Sequence, residues 1–294
     1  MNEDLLVTAT DDASLAGGEG VLITDRLILD SRVAVGALSA FRRAAPAFAV
    51  FLLVLAAWQF GTGLLGLHSY QLPVPTDILQ RVGQDHQALL TDGWFTFWNE
   101  ALRGYLIGSA IGFLAAVAAW RFKPVALGII PFAVISSAIP IVALAPALIP
   151  IAGSDWQSKV IICAVMTAFP MTVSGYRGLS SVDPLSRELL ATYGASELTT
   201  FRKLHLPASL PFVFNALKIN TTLCLIGAII AEYFGSPIHG LGLFININAG
   251  DLSYKDVWAG VLVACLTGIL FYAIVLAVER RLTRWHMSYR GSRT

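Results

Sequence analysis

The feature that most constrains the fold is a series of long apolar segments separated by shorter polar ones. Six such segments carry few charged residues: 46–67, 97–120, 124–149, 158–178, 211–231 and 256–278. An α-helix rises about 1.5 Å per residue, so roughly 20 residues cross a hydrocarbon core about 30 Å thick. A helix also satisfies its own backbone hydrogen bonds in lipid. We therefore predict an all-α membrane protein with six transmembrane helices.

Composition supports this prediction and excludes other classes of protein. Of the 294 residues, 56% are hydrophobic and 13% are charged, with a mean hydropathy of +0.68, whereas soluble domains carry about 25% charged residues. The net charge of +1 indicates no nucleic-acid partner. Cys163, Cys224 and Cys265 lie in apolar segments without metal-ligand spacing, so we expect buried free thiols. The acidic N-terminus predicts no cleaved signal peptide.

The distribution of basic residues predicts the orientation in the membrane. If the polar segment 182–207 is cytoplasmic, 16 of the 20 lysines and arginines lie on the cytoplasmic side, and the exceptions are Arg81, Arg103, Lys159 and Lys255. The positive-inside rule then places both termini in the cytoplasm. We expect residues 1–44 to be a partly disordered cytoplasmic extension, residues 45–285 the membrane domain and residues 286–294 a cytoplasmic tail.

The segment 182–207 has the sequence signals of two short helices joined by a turn. Asp183 can cap a helix that begins with Pro184, a position where the missing N–H costs nothing. Gly194 can adopt the left-handed conformation that ends this helix. Ser196 can cap a second helix, and we expect Pro207 to end it. Two short helices between membrane spans form a protrusion that suits the groove of another protein.

The same segment resembles the "EAA" loop of bacterial ABC-importer permeases. The family pattern is met at Glu188, Leu189, Leu190, Gly194, Leu204, Leu206 and Pro207, with leucine in place of the two alanines. Three further stretches are similar to the nitrate, sulfonate, taurine and bicarbonate branch: residues 72–78, residues 139–146 and AEYFGSPIHGLG at 231–242. The last stretch is also similar to permeases for pyrimidine precursors and riboflavin. The resemblance covers residues 70–285.

The resemblance implies a type I ABC importer permease fold with cytoplasmic coupling helices, in the inner membrane. It also implies two ABC ATPase subunits that bind ATP and Mg²⁺, a second permease subunit, identical or homologous, and a periplasmic or lipid-anchored solute-binding protein. This chain itself would bind no cofactor or metal. The solute would be a small anion such as a sulfonate, nitrate or bicarbonate, or a pyrimidine or riboflavin-type precursor.

The resemblance assigns coupling to the ATPase to residues 182–207, which we call the coupling loop. Arg202 and Lys203 either pair with acidic groups of the ATPase or flank the membrane as the positive-inside rule requires. The predicted coupling residues are Glu188, Leu190, Tyr193, Gly194, Ala195, Ser196, Phe201, Arg202, Lys203, Leu204 and Pro207. The chain has no G-x-x-x-x-G-K-[ST] phosphate loop, so we expect ATP hydrolysis on a partner.

Polar residues within the predicted spans are candidates for the solute path. They are Ser136, Ser137, Asn220, Thr221 and Glu232. Each has an alternative role: the serines, Asn220 and Thr221 could instead hydrogen-bond between helices, and Glu232 could hold a neighbouring loop in shape. Lys218 either belongs to the path or snorkels to the membrane surface.

Two further patterns bear on packing and on catalysis. Gly104, Gly108 and Gly112 recur at intervals of four residues, which predicts close contact with another helix. The histidines His68, His86, His205, His239 and His286 are predicted at the surface or the membrane interface, without a metal site.

An intramembrane enzyme would need a catalytic constellation of residues within the spans, and the sequence shows none. The alternative function is a secondary transporter or channel, for which inverted repeats or paired intramembrane charges would be expected, and the sequence shows neither.

Overall fold

The computed structural model describes residues 45–64, 66, 72–153, 155–235 and 238–283. The chain divides into two compact units, residues 1–66 and residues 67–294. In the first unit the described part is one apolar helix, α1 (Ala45–Leu64), which corresponds to the predicted span 46–67. The predictions for residues 1–44 and 286–294 lie outside the described residues.

The second unit is helical throughout its described residues. Its α-helices in chain order are α2 (Pro75–Gln84), α3 (His86–Phe95), α4 (Leu102–Arg121), α5 (Lys123–Ser136), α6 (Ile141–Ala152), α7 (Trp156–Leu179), α8 (Pro184–Thr192), α9 (Glu197–Thr200), α10 (Leu206–Phe234), α11 (Leu241–Gly250) and α12 (Tyr254–Leu282). Two π-helical turns, Thr96–Ala101 and Phe201–His205, join α3 to α4 and α9 to α10. They make continuous helices over His86–Arg121 and Glu197–Phe234.

The centre of this unit is formed by α4, α7 and α10. The glycine stripe of α4 lies against α7: a Cβ added to Gly104 would overlap Cys163, and one added to Gly112 would overlap the Ala168 carbonyl. Without side chains on this stripe, the two backbones touch, and dispersion contacts replace the hydrophobic driving force that is missing in lipid. The predicted role of the glycine stripe in helix packing is confirmed.

The predicted third span is not one helix. The chain leaves helical geometry after α5 and resumes at α6, with the N-cap residue Pro140 in an extended conformation (φ −69°, ψ 118°). Proline lacks the N–H that would continue the hydrogen-bond ladder of α5, and it also disfavours helical geometry at the residue before it. Among the described residues, five helices are long and apolar enough to span a membrane, whereas α5 is a shorter apolar helix.

The prediction that Pro207 ends the second loop helix is wrong. The helix continues through Pro207 into α10, and Pro211 also lies inside α10 rather than at its start. The π-helical turn directly before α10 explains this continuity, because the Leu206 N–H donates to the Phe201 carbonyl, five residues back. This wider turn occurs where the missing N–H of Pro207 interrupts the ordinary α-helical pattern.

The prediction of buried cysteines holds for two of the three. Cys163 and Cys224 are fully buried where α7 and α10 meet, and the Cys163 thiol donates to the Cys224 carbonyl. Cys265 is exposed on α12.

At the start of α12, Asp256 is paired with Arg81 of α2, and Lys255 lies 2.8 Å from Asp77. The hydrogen bond to Asp256 raises the pKa of the Arg81 guanidinium.

Candidate functional site

The coupling loop folds as two short helices around a left-handed glycine. The Asp183 carboxylate accepts from the Ser186 N–H at 3.4 Å and caps α8. Gly194 has φ +70°, a conformation that opposes a Cβ. The Ser196 hydroxyl then accepts from the Thr199 N–H at 3.3 Å and caps α9. The caps and the turn predicted from the sequence are confirmed.

The coupling loop exposes both apolar and charged side chains among the described residues. Neither α8 nor α9 contains a buried residue. Leu185 is 71% exposed, Tyr193 is 78% exposed and Leu198 is 57% exposed. Of the other predicted coupling residues, the structure exposes Glu188, Gly194, Ser196, Arg202 and Lys203, and half-buries Leu190, Ala195, Phe201, Leu204 and Pro207. Exposed apolar side chains beside charged ones are typical of an interaction surface.

The coupling loop is attached to the helix bundle through His205, which is buried rather than at the surface as predicted. Its Nδ1 lies 2.7 Å from the Leu179 carbonyl oxygen at the end of α7, so Nδ1 carries the hydrogen and donates it. The imidazole packs on Trp120 of α4, with ring centroids 4.6 Å apart. Next to it, Arg121 forms an exposed ion pair with Glu197 at 3.0 Å. These contacts join the loop to α4 and α7.

The serines at the end of α5 line a small cavity. Ser136 and Ser137 face Met166 and Phe169 of α7 and Leu223 of α10, around a volume of about 70 Å³. The Ser137 hydroxyl donates to the Val134 carbonyl of its own helix at 2.7 Å. Ser136 and Ser137 are therefore the candidate path residues that lie next to open space where α5 ends.

Asn220 and Thr221 are fully buried between helices. The Asn220 amide donates to the Ser109 hydroxyl at 3.1 Å and to the Thr167 carbonyl at 2.9 Å, which links α10 to α4 and α7. The Thr221 hydroxyl donates to the Lys218 carbonyl of its own helix. Asn220 thus makes the contacts between helices that we considered as its alternative role, whereas Thr221 makes none of them through this bond. A role of either residue in the solute path stays a prediction.

Glu232 lies at the end of α10 farthest from the coupling loop, and it is fully buried. One carboxyl oxygen accepts from the Thr96 hydroxyl at 2.7 Å, and the other accepts from the Gly242 N–H at 2.7 Å. The Leu241 N–H donates to Thr96 at 2.9 Å. Glu232 thus holds the start of α11 against the π-helical turn after α3, which is the loop-shaping role that we considered for it.

The two glycines of the G-L-G sequence are required by this arrangement. A Cβ on Gly240 would overlap the Glu232 carboxyl group, and Gly240 has φ +149°. A Cβ on Gly242 would overlap the Ile229 carbonyl oxygen and lie 2.8 Å from Glu232 Cβ. Only glycine allows the backbone to approach the carboxyl group this closely.

Two residues beside Glu232 were missed from the sequence. Glu100 and Lys159 are both fully buried, and both interact electrostatically with Glu232. Glu100 lies inside the predicted second span, where a carboxyl group is costly, and that rule could have identified it. Lys159 was counted only as one of the basic residues that do not lie on the cytoplasmic side. We call Thr96, Glu100, Lys159, Glu232 and Gly242 the polar cluster.

An ion pair that joins α10 to α12 was also missed from the sequence. Lys218 of α10 forms an ion pair with Glu279 of α12 at 2.7 Å, and both side chains are largely buried. Glu279 was not singled out from the sequence, because it falls one residue beyond the predicted last span. Lys218 therefore does not simply extend to the membrane surface. Paired intramembrane charges would also suit a secondary transporter, so the function has to be decided by relationship to known proteins.

The sequence relationships agree with one another. Residues 108–284 match the family described as binding-protein-dependent transport system inner membrane component. The formylaminopyrimidine transport permease protein ThiX of Halalkalibacterium halodurans is 31% identical over 80% of this chain and 93% of its own length. The riboflavin transport system permease protein RibX of Chloroflexus aurantiacus is 26% identical over 81% of this chain and 88% of its own length. The putative aliphatic sulfonates transport permease protein SsuC of Bacillus subtilis is 27% identical over 81% and 86% of the two chains.

The fold is also found among solved structures. A chain of the MetNI methionine ABC transporter in an inward-facing conformation superposes with a TM-score of 0.50 and 21% sequence identity, and covers 70% of this chain and 96% of that chain. At this identity the likeness supports the fold alone. The family match over more than half of the sequence and the 31% identity to ThiX show that this chain belongs to the binding-protein-dependent transport system inner membrane components and is the membrane-spanning permease subunit of an ABC importer.

Proposed function

We propose that the coupling loop lies in the cytoplasm and docks on an ABC ATPase, which supplies the work for solute transport. The observation that carries this proposal is the exposed apolar surface of α8 and α9, which contain no buried residue. The preponderance of basic residues on the same side of the membrane supports the orientation, with both termini cytoplasmic. Glu188, Arg202 and Lys203 are among the exposed charged residues that a partner would meet.

His205 and Trp120 connect the docking surface to the membrane helices. Because the coupling loop is joined to the ends of α4 and α7 through a buried hydrogen bond and a ring contact, a force on the loop moves these two helices. They are packed together along the glycine stripe. In this mechanism ATP binding draws the coupling loops of two permease subunits together, and the bundle opens outward to receive solute from the binding protein.

A variant of Tyr193 tests the docking surface. Tyr193→Ser removes the most exposed aromatic ring of the loop, and we expect capture of the ATPase by the purified permease to weaken roughly ten-fold or more, as for a hot-spot tyrosine. The matched control is Tyr233→Ser, which changes an exposed tyrosine (44%) at the other end of α10. Equal capture by wild type and Tyr193→Ser would contradict the proposal.

We further propose an assembly of two permease and two ATPase subunits with an external binding protein, and a solute path that passes Ser136 and Ser137. These serines lie where α5 is interrupted, next to a cavity between α5, α7 and α10. Interrupted helices in a membrane are tolerated where they line such spaces. Glu232, Asn220 and Thr221 would meet solute only if the bundle opens between α4, α7 and α10.

For the solute, we propose a small heterocyclic compound of the pyrimidine-precursor type. The support is the 31% identity to a formylaminopyrimidine permease across almost its full length. An aliphatic sulfonate is the second candidate, because a sulfonate permease is 27% identical over a similar share of the chain. Uptake of labelled formylaminopyrimidine and of a labelled alkanesulfonate by liposomes that contain the whole transporter, with its binding protein, would separate the two.

A further inference from the structure

The buried carboxyl group of Glu100 accepts no hydrogen bond from another described residue. Its side chain is 0% exposed, and neither oxygen accepts a hydrogen bond from an N–H or O–H group. An ionised carboxylate in such a place costs far more free energy than a neutral one, so the group retains a proton instead. A neutral carboxyl group is also a donor, and it needs an acceptor.

Glu232 is the acceptor that lies next to it. The two buried carboxyl groups are neighbours, and two carboxyl groups can form a hydrogen bond with each other only if a proton lies between them. Both Glu232 oxygens already accept, one from Thr96 and one from Gly242. Because hydrogen bonds to the charged form favour that form, the negative charge resides on Glu232 and the proton on Glu100.

The other charged groups around this pair balance its single negative charge. Lys159 of α7 is fully buried and interacts with both carboxyl groups, and its ammonium group also donates to the Asp155 carbonyl at 3.0 Å. The Asp155 carboxylate caps α7 through the Trp156 N–H. At the rim, Asp92 accepts from the Gly240 N–H and lies 3.4 Å from His239. One proton on the pair leaves Glu232 and Lys159 as opposite charges.

We propose that Glu100 and Glu232 form a buried proton-binding site, which holds one proton between the two carboxyl groups and fastens the start of α11 to the helix His86–Arg121. The ligand is a proton rather than the transported solute. With the proton in place, the Glu100 carboxyl group donates a hydrogen bond to Glu232. Without it, two carboxylates would face each other in a site that excludes water.

The proposal is tested by replacing with glutamine two buried glutamates, one that the proposal holds to be neutral and one that is paired with a cation. In Glu100→Gln the amide keeps the shape and the donor of a neutral carboxyl group, so we expect the midpoint of thermal unfolding in detergent to stay within about 2 °C of wild type. Glu279→Gln is the matched control. Glu279 is 5% exposed and is paired with Lys218, so its neutralisation leaves a buried cation unpaired, and we expect a clear fall in the midpoint.

Infrared spectroscopy of the purified permease gives a second measurement. At neutral pH the wild type should show the carbonyl stretch of a protonated carboxylic acid, with the usual shift in heavy water, and Glu100→Gln should lose it while Glu279→Gln keeps it. The proposal is overturned if Glu100→Gln is destabilised as much as Glu279→Gln or fails to fold. It is equally overturned if the wild type has no protonated-carboxyl band that Glu100→Gln removes.

Discussion

The two ends of α10 differ in whether their polar residues are exposed or buried. At its start, the coupling loop exposes its charged residues, and its capping hydrogen bonds join residues only three positions apart. At its end, Glu232 is fully buried and bonded to Thr96, which is 136 positions away in the sequence. The polar cluster is completed by the chain itself, whereas the coupling loop exposes apolar side chains that no described residue covers.

This difference indicates where the free energy of each region comes from. Buried hydrogen bonds of the polar cluster are costly to break, because each buried polar group left without a partner lowers the free energy of unfolding by about 1–3 kcal/mol. The caps of the coupling loop contribute about 1 kcal/mol each, and water can replace them. We therefore expect substitutions in the polar cluster to lower the stability of the fold, and substitutions in the coupling loop to weaken ATPase capture at unchanged stability.

The largest effect is expected for Gly242→Ala. The added Cβ would overlap the Ile229 carbonyl oxygen, which belongs to the backbone of α10 and cannot move aside. Overpacking of this kind costs about 1–3 kcal/mol or more, and the midpoint of thermal unfolding should fall accordingly. Gly250→Ala, in the same helix, is the control because its Cβ would meet nothing within 4 Å. Equal midpoints for the two variants would show that the close approach at Gly242 is not needed.

A somewhat smaller effect is expected for Thr96→Val, which keeps the shape but removes the hydroxyl group. Glu232 loses a donor and the Leu241 N–H loses its acceptor, at a cost of about 2 kcal/mol in unfolding free energy. The comparison variant is Thr91→Val, because the exposed Thr91 hydroxyl donates only within its own helix, to the Gln87 carbonyl. An unfolding midpoint as high as that of Thr91→Val would refute the importance of this contact.

The smallest effect on stability is expected for Gly194→Ala in the coupling loop. A Cβ there has open space, but φ is +70°, and the left-handed conformation costs a non-glycine residue about 1–2 kcal/mol. Because α8 has no residue buried by the described helices, we expect the turn to rearrange locally, with capture of the ATPase reduced about five-fold or more and the unfolding midpoint unchanged. Gly83→Ala in α2 is the control for a glycine with open space and ordinary φ. A lowered midpoint with normal capture would reverse our assignment of the two regions.

Features that depend on neighbouring residues were predicted more reliably than contacts between residues far apart in the chain. The caps at Asp183 and Ser196, the turn at Gly194 and the packing role of the glycine stripe were all predicted correctly, because each depends on residues a few positions apart. Pro207 was misjudged because a π-helical turn allows the helix to continue through it. His205 was placed at the surface because nothing near it in sequence indicates its contact with Leu179, 26 positions away.

By itself the sequence determined that the chain spans a membrane, where the coupling loop begins and turns, and which glycines permit close helix contact. The physical reason is that helix length, capping and backbone conformation are set by neighbouring residues. Only the tertiary structure decided which buried charges meet: Glu232 with Glu100 and Lys159, and Lys218 with Glu279. Such pairs depend on how helices distant in the chain are rotated and aligned, and that is fixed by packing of the whole bundle.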